Sequence, residues 1–121
     1  MKYLCLVYYP ENEVYSKPRS EWKALVNQCL ACGESLRSSG HMLAGEALLP
    51  TSTARTVRVR DGKPIVTDGP FAETKEQLAG FYLIEARDMD EAAQVAAKIP
   101  PARLGSIEIR PIRDLHAELD E

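Results

Sequence analysis

The sequence predicts an α+β fold in which two helices cover one face of an antiparallel sheet. Strand-like and helix-like segments follow one another as β-α-β, a hairpin and β-α-β. Asp61-Gly62 is the residue pair that a tight hairpin turn favours, and 121 residues suffice for one domain with a core. With the hairpin treated as an insertion, the remaining order is the split β-α-β arrangement of a ferredoxin-like fold.

The first half of the chain is predicted to hold a strand, a long helix and a second strand. Residues 3–9 are rich in aromatic and aliphatic side chains, which is typical of a strand. After a polar loop, apolar residues recur every three or four positions from Ser20 to Ser39, and Gly40 is placed to end this helix. The second strand is expected from Met42 to Leu49, with a bulge or close backbone approach at Gly45.

The middle of the chain is predicted to form the hairpin and a third sheet strand. Residues 56–60 alternate strictly between polar and apolar, which indicates a strand with one solvent-exposed face. The return strand is expected over 63–67, where Pro64 favours an edge position. Residues 78–86 read as a further strand.

The end of the chain is predicted to hold a short helix and a last strand. Asp88 and Glu91 form a pair typical of a capping box at the start of a helix. The last strand is expected over 106–112. We therefore expect one domain over residues 1–113 and a charged tail over 114–121, which forms a frayed helix or is disordered.

Both faces of the first strand are apolar. Side chains alternate along a strand, which puts Tyr3, Cys5, Val7 and Tyr9 on one face and Leu4, Leu6 and Tyr8 on the other. Helices can cover only one of these faces, and soluble monomers rarely expose a large apolar patch. We therefore expect a homodimer packed sheet to sheet through the helix-free face. The alternative is a monomer whose loops fold over the sheet.

The composition favours a cytoplasmic protein that binds neither nucleic acid nor membranes. Fifteen basic and 18 acidic residues give a net charge of -3, whereas nucleic-acid binders usually carry a basic surplus. We expect no membrane span, because no apolar run approaches the roughly 20 residues that cross a bilayer. We expect no signal peptide, because a basic n-region, an apolar h-region and a cleavage site do not follow one another at the N-terminus. Three cysteines are an odd number, which fits reduced thiols better than disulfide bridges.

A charged segment around one aromatic residue, Asp68 to Glu76, is the first candidate site. Carboxylates and an ammonium group beside an apolar wall suit a small polar ligand. The predicted ligand-binding residues are Asp68, Phe71, Glu73, Lys75, Glu76, Tyr82 and Arg110. Asp68, His41 and Glu76 are the candidates for acid/base catalysis. The alternative is structural, with a capped turn, an aromatic plug in the core and surface ion pairs.

Other chemistry-bearing residues have structural interpretations that compete with functional ones. His41 at a strand start is a general-base candidate or a surface capping residue. Cys29-x-x-Cys32 lies in mid-helix on the apolar face and has no second ligand pair, so core packing is favoured over metal or redox chemistry. Arg110 and Glu108 are either a solvated cross-strand ladder or part of a cleft. We expect no metal and no cofactor.

The segment Asp68-Gly69-Pro70-Phe71-Ala72-Glu73-Thr74-Lys75-Glu76 resembles the signature of the DGPF branch of the YCII-related family. The resemblance extends over nearly the whole chain, through Gly45-Glu46-Ala47-Leu48-Leu49-Pro50 and Gly80-Phe81-Tyr82-Leu83-Ile84 among other motifs. It implies a ferredoxin-like fold that dimerises into an α+β barrel. The histidine and aspartate of the family's other branch have no counterpart in the first helix here, so that acid/base pair does not carry over.

The residues and the resemblance together predict a homodimer that binds a small polar or anionic molecule in a cleft of the dimeric barrel. Acid/base catalysis without a cofactor, of an isomerase or lyase type, is the enzymatic version of this hypothesis and rests on fold analogy. Some family members are linked to sigma factors, which implies an alternative function as a non-catalytic interaction module in transcription initiation. A purely architectural role for the signature is the third hypothesis.

Overall fold

The computed structural model describes residues 1–120, which form six strands and four α-helices. The strands are β1 (Lys2–Tyr9), β2 (Met42–Ala47), β3 (Arg55–Arg60), β4 (Lys63–Asp68), β5 (Gln77–Glu85) and β6 (Ser106–Pro111). The helices are α1 (Glu11–Tyr15), α2 (Arg19–Ser38), α3 (Met89–Ala96) and α4 (Leu115–Leu119). Short 3-10 helices span Thr51–Thr53 and Pro100–Arg103.

The main sheet has the strand order β2-β5-β1-β6, and every neighbouring pair is antiparallel. Strands β3 and β4 pair only with each other, in a separate two-stranded sheet. With this hairpin left out, the four remaining strands follow the split β-α-β order. The predicted α+β fold with an antiparallel sheet is confirmed.

The apolar core lies between one face of the sheet and helices α2 and α3. Tyr3, Cys5 and Val7 of β1 are all buried on this face. Strand β5 adds Ile84, which lies opposite Tyr3. The helices contribute Leu36 of α2 and Ala92, Val95 and Ala96 of α3.

The other face of the sheet carries no helix and is apolar at its centre. Leu4 lies opposite Leu83, and Leu6 lies opposite Phe81. With Tyr8, these five side chains are half-buried, whereas their neighbours in β1 are buried. We call Leu4, Leu6, Tyr8, Phe81 and Leu83 the helix-free face. The residues of β1 divide between the two faces as the alternation predicts.

Local signals set the turns and helix ends where the sequence predicts them. Gly40 has a φ of 81°, and the N–H groups of Gly40 and His41 donate to the carbonyls of Arg37 and Leu36, which ends α2. The N–H of Glu91 donates to Oδ1 of Asp88, which caps α3. Asp61 and Gly62 have φ values of 52° and 76°, as the hairpin turn requires.

Two segments differ from the sequence prediction. The predicted polar loop after β1 contains α1, which buries Val14 against the core. The carboxylate of Glu11 accepts hydrogen bonds from the backbone N and the Oγ1 of Thr51, at 2.9 and 2.7 Å. Strand β2 ends at Ala47 instead of Leu49. The chain then turns through the 3-10 helix at Thr51–Thr53 before the hairpin begins.

The predicted tail begins with α4, a short helix capped by the side chain of Asp114. The final residue of that tail, Glu121, lies outside the described residues. Within residues 1–120, no helix is both long and apolar enough to span a bilayer.

Removal of the α3 cap gives a first test. We expect Asp88→Ala to lower the free energy of unfolding by about 1 kcal/mol, because the N–H of Glu91 then loses its acceptor. Asp90→Ala is the control, since Asp90 is an exposed residue of the same first turn and does not cap the helix. Urea denaturation measures both variants, and equal losses would contradict the capping role.

Candidate functional site

A cavity of about 440 Å³ lies between α2 and the helix-covered face of the sheet. Helix α2 forms one wall with residues that include Trp22, Cys29 and Arg37. Strands β1, β2 and β5 form the floor, where Tyr9 and Tyr82 are the largest side chains. The volume falls within the range of small-molecule sites, which makes this cavity the candidate functional site.

Two glycines leave the floor of the cavity without side chains where β2 and β5 pair. A Cβ on Gly80 would stand 2.7 Å from the carbonyl oxygen of Glu46, a contact that backbone atoms cannot relieve cheaply. A Cβ on Gly45 would stand 3.0 Å from the carbonyl oxygen of Phe81 and would also strike the Met42 side chain. The absence of side chains at both positions permits close strand pairing and leaves open space beneath α2.

Tyr82 and Cys29 contribute two neutral polar groups to the cavity. Burial raises the pKa of Tyr82 to about 12, with smaller contributions in the same direction from Cys29 and Cys32 and an opposing one from Arg37. Burial also raises the pKa of the Cys29 thiol. These side chains therefore offer a phenol O–H and a thiol S–H rather than anions. A thiol with a raised pKa is also poorly suited to act as a nucleophile.

The open side of the cavity combines apolar side chains with one cation. Leu30 is 67% exposed and Val26 is 37% exposed, both on α2. Arg37 is exposed nearby and has its guanidinium next to Gly33. Among residues 1–120, no carboxylate lies within ion-pair distance of Arg37. A ligand entering here would meet an apolar wall and an available positive charge.

Two aromatic residues that line the cavity, Tyr9 and Trp22, are in contact with Tyr15 of α1. The hydroxyl groups of Tyr9 and Tyr15 lie 3.2 Å apart, and burial is the main cause that raises the pKa of Tyr9. The rings of Tyr15 and Trp22 meet edge to face, with centroids 5.5 Å apart. Because α1 supplies Tyr15, the helix that the sequence did not predict helps to shape the site.

The signature segment lies on the surface, outside this cavity. Asp68, Glu73 and Lys75 are exposed, and Glu76 is half-buried. Asp68 pairs with Arg55 at 3.2 Å across the end of the hairpin. Phe71 is 79% exposed, so it does not fill the core of its own chain.

The remaining predicted ligand-binding residues lie on opposite faces of the sheet. Tyr82 lines the cavity. Arg110 lies opposite Leu4, on the helix-free side, where its guanidinium is 3.8 Å from the carboxylate of Glu108. Within one chain, the seven predicted ligand-binding residues do not form one site, and the assignment of those outside the cavity stays a prediction.

His41 lies where α2 ends and α3 begins, away from the cavity. Its Nδ1 is 2.8 Å from Oγ of Ser39, and its Nε2 is 3.5 Å from Oε1 of Glu91. Hydrogen bonds from Arg87 are the main cause that lowers the pKa of Glu91. In this setting His41 links the two helix ends, and its catalytic role stays a prediction.

The sequence did not single out Arg37, and it predicted core packing for Cys29 and Cys32 on the apolar face of the helix. Cys32 packs against the core cluster, whereas Cys29 lines the cavity. The available signal was the set of residues without side chains, Gly33, Gly45 and Gly80, which all line the cavity.

The fold and the cavity define a small α+β domain with a mostly apolar cavity between its long helix and its sheet. A family model described as a YCII-related domain matches residues 1–116, so the chain belongs to the YCII-related family. An uncharacterised protein of Rhizobium meliloti is 38% identical over 114 residues, covering 93% of this chain and 92% of that protein.

The fold is also similar to that of a solved enzyme. The structure is that of 5-chloro-2-hydroxyhydroquinone dehydrochlorinase from Burkholderia phenoliruptrix, in complex with 2,5-dihydroxybenzoquinone. The TM-score is 0.58 over 97% of this chain and 98% of that one, and the sequences are 13% identical. At this identity the likeness concerns the fold alone.

The environment of Tyr82 predicts a distinctive titration. We expect Tyr82→Phe to remove the phenolate absorbance that appears near pH 12, because burial raises the pKa of this phenol from 10.0 to about 12. The folded state keeps the proton while the unfolded state loses it, so stability falls as the pH rises from 10 to 12. Tyr82→Phe should reduce this fall in urea titrations.

The control for this titration is Tyr15→Phe, which removes a more exposed phenol. An unchanged high-pH absorbance step in Tyr82→Phe would contradict the assignment.

Proposed function

We propose that the protein binds a small molecule with an apolar, ring-sized body and one anionic group in the cavity between α2 and the sheet. The observation that carries this proposal is the mostly apolar cavity with the guanidinium of Arg37 at its open side, which forms no ion pair within residues 1–120. Apolar walls provide affinity, and a few polar groups fix orientation. An arginine is suited to a carboxylate because its planar donors can bind both oxygens.

The interior chemistry supports the binding of a ligand with an electron-rich oxygen. The neutral phenol of Tyr82 can donate a hydrogen bond to an oxygen of the ligand that carries negative charge. Such a donor is one part of a cofactor-independent isomerase or lyase site, and the base that such a reaction also needs stays a prediction. The structural neighbour, a dehydrochlorinase with a dihydroxybenzoquinone bound, supports a ring-sized ligand in this fold.

We further propose that the protein is a homodimer packed through the helix-free face, which would form a dimeric α+β barrel. Five half-buried apolar residues at the centre of this face support the proposal. Each large apolar side chain that becomes fully buried contributes roughly 1.5–3 kcal/mol. The exposed signature residues Asp68, Glu73 and Lys75 then belong to a loop that is available for contact with the partner.

The ligand proposal is tested by thermal shift with small aromatic carboxylates such as benzoate and hydroxybenzoates. A ligand that binds the folded state raises the melting temperature by mass action. We expect Arg37→Gln to weaken binding roughly tenfold or more, because it removes a charge-assisted hydrogen bond. Benzamide, which has the same ring without the charge, should shift the wild type less.

Two variants locate the site. Arg19→Gln removes an exposed charge at the other end of α2 and should bind as the wild type does. Lys75→Ala changes the signature loop and should also leave binding unchanged. Loss of binding in Lys75→Ala but not in Arg37→Gln would move the site from the cavity to the loop. The absence of any shift in the wild type would contradict this ligand class.

The homodimer is tested by sedimentation equilibrium. We expect the wild type to have twice the 13.4 kDa chain mass at micromolar concentration. Leu6→Glu should dissociate the dimer, because it places a buried charge at the centre of the proposed interface, opposite Phe81. Leu115→Glu, at an exposed position on α4, is the control. A wild type that stays monomeric would contradict the proposal.

The alternative function, an interaction module for a sigma factor, stays a prediction. No observation on the described residues favours it over ligand binding.

A further inference from the structure

We infer that the β3–β4 hairpin is a dimerisation arm that packs its apolar side against a second copy of this chain. This inference rests on the proposed homodimer and assigns the hairpin a part in it. We call Val57, Val59, Pro64 and Val66 the arm stripe.

The cross-strand register places the whole stripe on one face of the hairpin. Val57 lies opposite Val66, and Val59 lies opposite Pro64. Their side chains therefore point the same way and form a continuous apolar surface. Val57 is 62% exposed, Val59 60% and Val66 58%, so their own chain leaves this surface open.

A hairpin of this kind needs a surface to pack against. An isolated two-stranded hairpin is marginally stable in water, and β3 and β4 pair only with each other. Three further apolar residues that flank the hairpin in sequence, Leu48, Leu49 and Phe71, are also exposed. Exposed apolar residues in such numbers mark a contact site on a soluble protein.

Charge favours a second copy of the chain as the occupant. Residues 55–68 contain four basic and two acidic residues, which leaves 11 basic and 16 acidic residues in the rest of the chain. The hairpin is therefore positive and the body of the protein negative. A hairpin from one copy is attracted to the body of another, and a twofold axis allows both hairpins to bind at once.

The helix-free face has an apolar centre and carboxylates beside it. Glu46 lies opposite Phe81, and Glu108 lies opposite Leu6 and near Arg110 of its own chain. The hairpin presents the arm stripe on one face, while Arg58 and Arg60 project from the other face, on the side of Ile65. We therefore place the arm stripe at the margin of the sheet-to-sheet contact, where it extends the apolar interface, and the basic residues of the hairpin add a long-range attraction to the acidic body of the partner.

The test is a triple variant, Val57→Thr with Val59→Thr and Val66→Thr. Threonine keeps the β-branched shape that favours a strand while it replaces a methyl group by a hydroxyl. We expect the dimer dissociation constant, measured by sedimentation equilibrium, to rise at least tenfold. Ile65→Thr is the matched control, because Ile65 is 48% exposed on the opposite face of the hairpin. It should leave the constant within twofold of the wild type.

Hydrogen exchange gives a second measurement that does not depend on the triple variant. In the wild type, the protection of the amides of β3 and β4 should increase with protein concentration, because the partner covers the hairpin. Should the triple variant not fold, the single variant Val59→Thr is used, with an expected increase of about threefold in the dissociation constant.

The outcomes separate the arm from the dimer. A wild-type dimer that the stripe variants weaken, with hairpin protection that depends on concentration, supports the inference. A dimer that the stripe variants leave unchanged overturns the arm and leaves the homodimer standing. A wild type that is monomeric at every concentration overturns both the arm and the homodimer. Binding of the hairpin to vesicles or to another protein, with the wild type monomeric, would do the same.

Discussion

The packing of α2 and α3 on a single face of the sheet is the constraint on which the rest of the structure depends. It buries Tyr3, Cys5 and Val7 of β1 and leaves the alternate side chains, Leu4 and Leu6, on a face without a helix. The same packing creates the cavity, because α2 crosses the sheet above two glycines that provide no side chains to fill the gap. The candidate site and the candidate interface are thus two results of one arrangement, on opposite faces of the same strands.

Much of the fold could be predicted because its signals are local. The end of α2 at Gly40, the turn at Asp61-Gly62 and the cap at Asp88 each depend on a few neighbouring residues, and all three are confirmed. Helix α1 was missed because it lacks such local signals. It has a single buried apolar residue, Val14, which produces no periodic pattern. The hydrogen bonds that its Glu11 accepts come from Thr51, 40 residues away in the chain.

The candidate site was harder to predict because a cavity is defined by atoms that are absent. The density of charges in the signature segment predicted a site there, yet Asp68 and Phe71 are exposed on the surface, outside the cavity. Arg37 lies at the end of α2 in a stretch of polar residues, where nothing in the sequence separates it from an ordinary surface arginine. Its importance comes from its place above the gap that Gly33, Gly45 and Gly80 leave, and this depends on how a helix lies across two strands.

The two hydrogen bonds that Glu11 accepts from Thr51 have a consequence for the hairpin. Thr51 belongs to the segment that leads into β3, so the root of the hairpin is fastened to the helix that follows β1. At the far root, Thr56 donates to the carbonyl of Gly69, and Gly69 donates to that of Ala54. Hydrogen bonds at both ends of the hairpin therefore fix its orientation relative to the rest of the chain. In the dimer that we propose, the hairpin would contact the partner in an orientation that is already set, so little orientational entropy would be lost on contact.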